Sequence, residues 1–67
     1  MWDQGKSIAM AVAITKKRQI EVSSITGITP QRISMYKAGK QGMSIPIAQK
    51  FADAFGMKLS DFVRLGE

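Results

Sequence analysis

Apolar residues recur at helical spacing along nearly the whole chain, and no stretch alternates convincingly with period two. The first periodic segment opens at Asp3 or Ser7, either of which can cap a helix, and runs to Lys16. Ile8, Ala11, Val12 and Thr15 share one of its faces at i, i+3, i+4, i+7 spacing. A second, short segment covers residues 19–25, with Val22 and Ile25 expected to point the same way. Its β-branched residues and serines have poor helix propensity, so packing must hold it helical. Gly27 is expected to end it by supplying a positive φ at little steric cost.

The third segment opens on Thr29-Pro30, a good N-cap followed by the residue favoured at the first helical position, and runs to Lys37. At 100° per residue Ile33 and Tyr36 share its inward face. Gln31, Ser34 and Met35 point away, and Arg32 lies on the flank. A loop over residues 39–43 follows. Ser44 is expected to cap a fourth helix with Pro46 in its first turn. Ala48, Phe51, Ala52 and Phe55 form its buried stripe, with Gln49, Lys50 and Asp53 outward. Gly56 stops it. Ser60 is expected to cap a last short helix anchored by Leu59, Phe62 and Val63, with Asp61 favourably placed in its first turn. The pattern predicts an all-α fold of five short helices in one domain over residues 1–67.

Length sets the energetic frame. A chain of 67 residues buries only about 60% of its unfolded surface, so its stability margin is thin. Small domains often add disulfides or a metal. With no Cys and no His, disulfides, Cys/His zinc sites, and cysteine- or histidine-dependent catalysis are all excluded. No metal or other cofactor is expected.

Charge narrows the partner. Ten basic residues face five acidic ones, a net +5. Lys16, Lys17, Arg18, Arg32, Lys37 and Lys40, offset only by Glu21, place the whole excess between positions 16 and 40. The flanking segments are each neutral. Such a patch suits a polyanion, either nucleic acid or an anionic membrane surface. The longest apolar run, residues 8–14, falls far short of the ~20 residues needed to span a bilayer. With Asp3 before it and Lys16-Lys17-Arg18 after it, the run is also a poor signal peptide. The chain is therefore expected to be mature and cytoplasmic.

Two short helices joined by Thr26-Gly27-Ile28, with the basic excess over them, match the helix-turn-helix arrangement, here about residues 18–37. Ser23, four before the glycine, is small where the helices cross. Ile28 is apolar and can plug beneath the turn. Ile33, six after the glycine, can anchor the second helix, and Tyr36 repeats that face one turn later.

At this spacing the sequence resembles the Cro/C1-type helix-turn-helix family, the lambda-repressor-like domains of phage repressors and related bacterial regulators. Gln19, Glu21, Val22, Ser23, Gly27, Ile28, Thr29, Ile33, Ser34, Gly39 and Lys40 carry the resemblance. Residues 52–62 resemble the family's junction between fourth and fifth helices. The resemblance covers about residues 6–65. Ser23 stands where alanine is usual, and Thr26 where an apolar residue is common. Lys37 and Ala38 replace an acidic and a polar residue, and Ile20 an outward polar one.

The resemblance implies that residues 29–37 lie in the major groove of double-stranded DNA. The outward side chains suit that role. Gln31 can bind adenine bidentately, Arg32 can bind guanine O6/N7 or a phosphate, and Met35 can pack on a thymine methyl. Ser34 can reach a base or a phosphate. In the family, the glutamine equivalent to Gln19 contacts phosphate and braces the recognition helix. Thr29 and the helix N-termini offer donors to phosphate. Lys37, Lys40, Gln41 and Ser44 would clamp the sugar-phosphate chain, and Lys16, Lys17 and Arg18 would add non-specific affinity. Each has a plainer alternative. Met35 can be a gap filler, Ser34 can bond its own preceding turn, and Lys16-Lys17-Arg18 can simply complement a helix dipole. Trp2 can be a packing residue.

Two motifs mislead. Gly5-Lys6-Ser7 imitates the end of a phosphate-binding P-loop, which would need a glycine five residues before Gly5 and a preceding strand. Gly39-Lys40-Gln41-Gly42 imitates an RNA-binding GXXG loop, but that domain needs a sheet. The five carboxylates are scattered, so an enzyme is not expected. The expected function is a non-enzymatic, Cro-like transcription regulator, phage or bacterial, without small-molecule ligand or membrane partner. It would bind a pseudo-palindromic operator as a homodimer. With no effector or oligomerisation domain expected, residues 57–65 or the DNA itself would serve dimerisation. The rival is a protein-interaction module of the same fold, such as an antitoxin, which would show an apolar patch on the third helix.

Overall fold

The computed structural model describes residues 2–67. Its element order is α1 (Gln4–Thr15), α2 (Gln19–Thr26), α3 (Pro30–Lys37), α4 (Ile45–Ala54) and α5 (Leu59–Arg64). The main packing relations close a circuit: α1 lies on α3, α3 on α2, α2 on α4, α4 on α5 and α5 back on α1. Each helix therefore buries one face against two neighbours, which a chain this short needs to enclose a core. Among the described residues no helix is long and apolar enough to cross a membrane.

Local chemistry explains most boundaries. Asp3, not Ser7, caps α1: its Oδ1 accepts from the Lys6 amide at 3.0 Å. Ser7 is fully buried instead and accepts from the Trp2 indole Nε1 at 2.7 Å. Thr29 Oγ1 accepts from the Arg32 amide, and Ser44 Oγ from the Ile47 amide, so α3 and α4 begin as expected, each with proline in its first turn. At α2 the Glu21 carboxylate accepts from the Arg18 amide at 3.2 Å. The Arg18 side chain carries only donors and cannot return a capping bond.

Two expectations are corrected. Ser60 does not cap α5; it lies within the first turn, which starts at Leu59 with Lys58 in the cap position. The Lys58 carbonyl accepts from the Phe62 amide at 3.0 Å, so the turn is set by burying Leu59 and Phe62 rather than by a side-chain cap. Ile25 does not point inward with Val22; it is 58% exposed. The inward positions of α2 are Val22, Ser23 and Thr26, and the two hydroxyls close the following turn.

The core is aromatic at its centre. Phe62 stacks on Phe51 and Phe55 at centroid distances of 6.2 and 6.0 Å and meets the edge of Trp2 at 6.2 Å. Tyr36 meets Phe51 edge-on at 5.9 Å. Ile8, Ala11, Val22, Ile28, Ile33, Ala48, Ala52 and Ala54 complete it. Val12 and Thr15, on the same face of α1 as the buried Ile8 and Ala11, are half-buried. Trp2 is thus a packing residue. The C-terminus returns beside it: the Asp3 amide donates to the Gly66 carbonyl at 3.0 Å. A Cβ on Gly66 would collide with the Asp3 carbonyl and Ser7 Oγ.

Candidate nucleic-acid interface

The turn between α2 and α3 is closed by three devices. Gly27 takes φ 75° at the end of α2, a conformation that L side chains rarely adopt. Ser23 Oγ donates to the Ile28 carbonyl at 2.6 Å. Thr26 Oγ1 donates to the Val22 carbonyl at 2.8 Å and accepts from the Ile28 amide at 3.2 Å. Ser23 and Thr26, two of the positions that differ from the expected pattern, therefore close the turn with their hydroxyls, and Ile28 is buried beneath it.

Gln19, the first residue of α2, holds α3 from the other side. Its Nε2 donates to the Pro30 carbonyl and to Ser34 Oγ, both at 2.9 Å. Ser34 keeps its hydroxyl proton free to donate outward. With Ile33 and Tyr36 buried, α3 has a fixed roll about its axis. Gln31, Arg32, Ser34 and Met35 are all exposed on it, and Gln31, Ser34 and Met35 share one face at i, i+3, i+4 spacing. Arg32 is not free-standing: its Nη2 donates to the Tyr36 hydroxyl at 3.0 Å, and its guanidinium carbon lies 5.8 Å from the Tyr36 ring centroid.

Beyond α3 the chain turns at Gly39, φ 74°, and presents the exposed Lys37 and Lys40. The Lys40 amide is used inside the turn, donating to the Met35 carbonyl at 3.0 Å. Gln41 is half-buried and Ser44 exposed. The Ser44 hydroxyl oxygen is engaged as the α4 cap, as the Thr29 oxygen is at α3; each retains a proton to donate. Lys16 and Arg18 are exposed and Lys17 half-buried, in the link from α1 to α2. Lys16 takes φ 59° at the end of α1, and it is the one non-glycine residue with positive φ among the described residues.

Gln4, at the start of α1, is the structural residue that sequence reasoning missed. Its Nε2 donates to the Tyr36 carbonyl at 2.9 Å and to the Gln41 carbonyl at 2.6 Å. Its Oε1 accepts from the Met43 amide at 3.0 Å. One amide thus fixes the end of α3 and both sides of the 39–43 loop. Next to it, Gly5 lies so close to α3 that a Cβ would strike the Lys37 carbonyl. No local pattern marks Gln4, because all three partners lie more than thirty residues away.

In the segment 57–65 one apolar side chain is fully buried and four are half-buried. Phe62 is buried, and Met57, Leu59 and Leu65 pack partly against the core. Ile14, Ile20, Ile25 and Ile45 are the large apolar side chains more than half exposed among the described residues.

A family model described as helix-turn-helix matches residues 16–62, more than half of the chain. No curated protein and no solved structure matches the chain.

Proposed function

Because the chain belongs to the Cro/C1-type helix-turn-helix family of DNA-binding transcription regulators, we propose that it is a sequence-specific regulator of Cro-like repressor type. Helix α3 enters the major groove. Gln31, Arg32, Ser34 and Met35 meet base edges there. Gln19, Thr29, Lys37, Lys40, Gln41, Ser44 and the Lys16-Lys17-Arg18 link meet the sugar-phosphate chains. Two copies bind the half-sites of a pseudo-palindrome about one helical turn apart.

The observation that carries this reading is the coincidence on one helix of a fixed roll and an outward polar set. Ile33 and Tyr36 are buried while Gln31, Arg32 and Ser34 are exposed, within the segment 16–40 that carries the whole positive excess of the chain. Polar side chains held in a fixed orientation can discriminate bases; positive charge alone gives affinity without sequence preference. The protein-interaction alternative is less favoured, since α3 shows only Met35, 39% exposed, as a large apolar residue.

The test is Gln31→Ala. Binding to the cognate site should weaken by about 1–3 kcal/mol, with preference relaxed at one base pair. An equal loss on every duplex would remove Gln31 from base reading.

A further inference from the structure

We infer that Tyr36 is a specificity-determining positioning residue, which holds the Arg32 guanidinium at a fixed angle to the DNA without touching it. The inference rests on the reading above that Arg32 contacts a base.

Tyr36 is an inward residue, 1% exposed, with its ring edge-on against Phe51 at 5.9 Å. For filling that space a phenylalanine would serve as well. The hydroxyl has a further use: it accepts from Arg32 Nη2 at 3.0 Å. The guanidinium carbon also lies 5.8 Å from the ring centroid, within the range of cation–π attraction. An exposed arginine is thereby tied to a ring that the core immobilises. Left free, its long side chain would sample many rotamers and would have to be ordered on binding.

The tie leaves the reading capacity intact. A guanidinium carries five N–H donors in a rigid fork. Nη2 contributes one hydrogen to the edge shared with Nε and one to the edge shared with Nη1. Donation of either one to Tyr36 leaves the other edge complete, with two parallel donors for a guanine or a phosphate. Arg32 can therefore engage DNA while still bonded to Tyr36. The Tyr36 hydroxyl then selects which edge faces outward.

The experiment is a double-mutant cycle with Arg32→Ala and Tyr36→Phe. Binding is measured on an operator enriched from random duplexes, on its single-base-pair variants and on an unrelated duplex. Phenylalanine keeps the ring and its contact with Phe51. Arg32→Ala should abolish discrimination at one base pair. Tyr36→Phe should reduce discrimination at that same pair by roughly three- to tenfold, the scale of one hydrogen bond. Other pairs, the unrelated duplex and the salt dependence should not change. In the Arg32→Ala background Tyr36→Phe should have no further effect. If Arg32→Ala abolishes discrimination and Tyr36→Phe leaves it intact, the positioning role is wrong while base reading stands. A Tyr36→Phe loss spread over all duplexes, or persisting without Arg32, would mark a purely structural hydroxyl and overturn the inference. A uniform or absent effect of Arg32→Ala would overturn the base-reading role itself, and the inference with it.

Discussion

Gln4 donates its side-chain amide to the Gln41 carbonyl at 2.6 Å, joining the first turn of α1 to a loop 37 residues further along the chain. The same side chain serves the Tyr36 carbonyl and the Met43 amide. Two of its contacts need a donor and one needs an acceptor, so only an amide fits.

Gln4→Ala should therefore destabilise the fold by about 1–3 kcal/mol, since each net hydrogen bond is worth ~1 kcal/mol and the freed groups can in part reach water. Gln4→Glu should be worse than alanine. It keeps the acceptor for Met43 but turns a carboxylate oxygen toward two carbonyls. Chemical denaturation of both variants checks the order. Glutamate matching wild type would show that the three bonds are not made together.

Gly5→Ala should destabilise by roughly 1–3 kcal/mol, because the added methyl meets the backbone carbonyl of Lys37, which cannot swing aside as a side chain can. Gly42→Ala is the control. It has open space around it and no positive φ, so it should stay within about 0.5 kcal/mol of wild type. Equal midpoints for the two variants would refute the close approach of α1 to α3.

These two residues also show where sequence reading stopped. The caps at Thr29 and Ser44, the stops at Gly27 and Gly56, and the buried Ile33, Tyr36, Phe51 and Phe62 are legible, because each follows from local periodicity or from backbone preference. Ile25 faces outward because Ser23 and Thr26, whose hydroxyls look neutral in sequence, take the inward positions. Ser60 has the chemistry of a cap, but α5 is started by burial of Phe62 rather than by a side-chain bond. Gln4, the Gly5 contact, Ser7 and the Arg32–Tyr36 pair were not legible. Most of these depend on which elements pack together, and Arg32 lies on a flank where spacing does not decide its direction. Of the proposed interface, the residue set came from sequence. The roll of α3 and the tie on Arg32 came from the packing.

Lys16 separates stability from binding. Its φ of 59° costs on the order of 1 kcal/mol for a side-chain-bearing residue. Lys16→Gly should relieve that, less the added freedom of glycine in the unfolded chain, for a net gain on the order of 0.5 kcal/mol. If Lys16 meets phosphate, the same variant should lower the slope of log affinity against log salt by ~0.9, as Lys40→Ala should. Thermal unfolding reads the first effect and a salt titration the second. A slope unchanged in both variants would take Lys16 and Lys40 out of the phosphate contacts.

The proposed role of α3 rests on sequence preference, and selection of bound duplexes from a random pool measures it directly. The protein should enrich a pseudo-palindrome whose half-site centres lie about 10–10.5 base pairs apart. Repeating the selection with Gln31→Ala should relax one symmetric pair of positions. A pool that binds but gains no consensus would leave only the non-specific attraction of a positively charged surface and would defeat the assignment of α3 as a reader of bases.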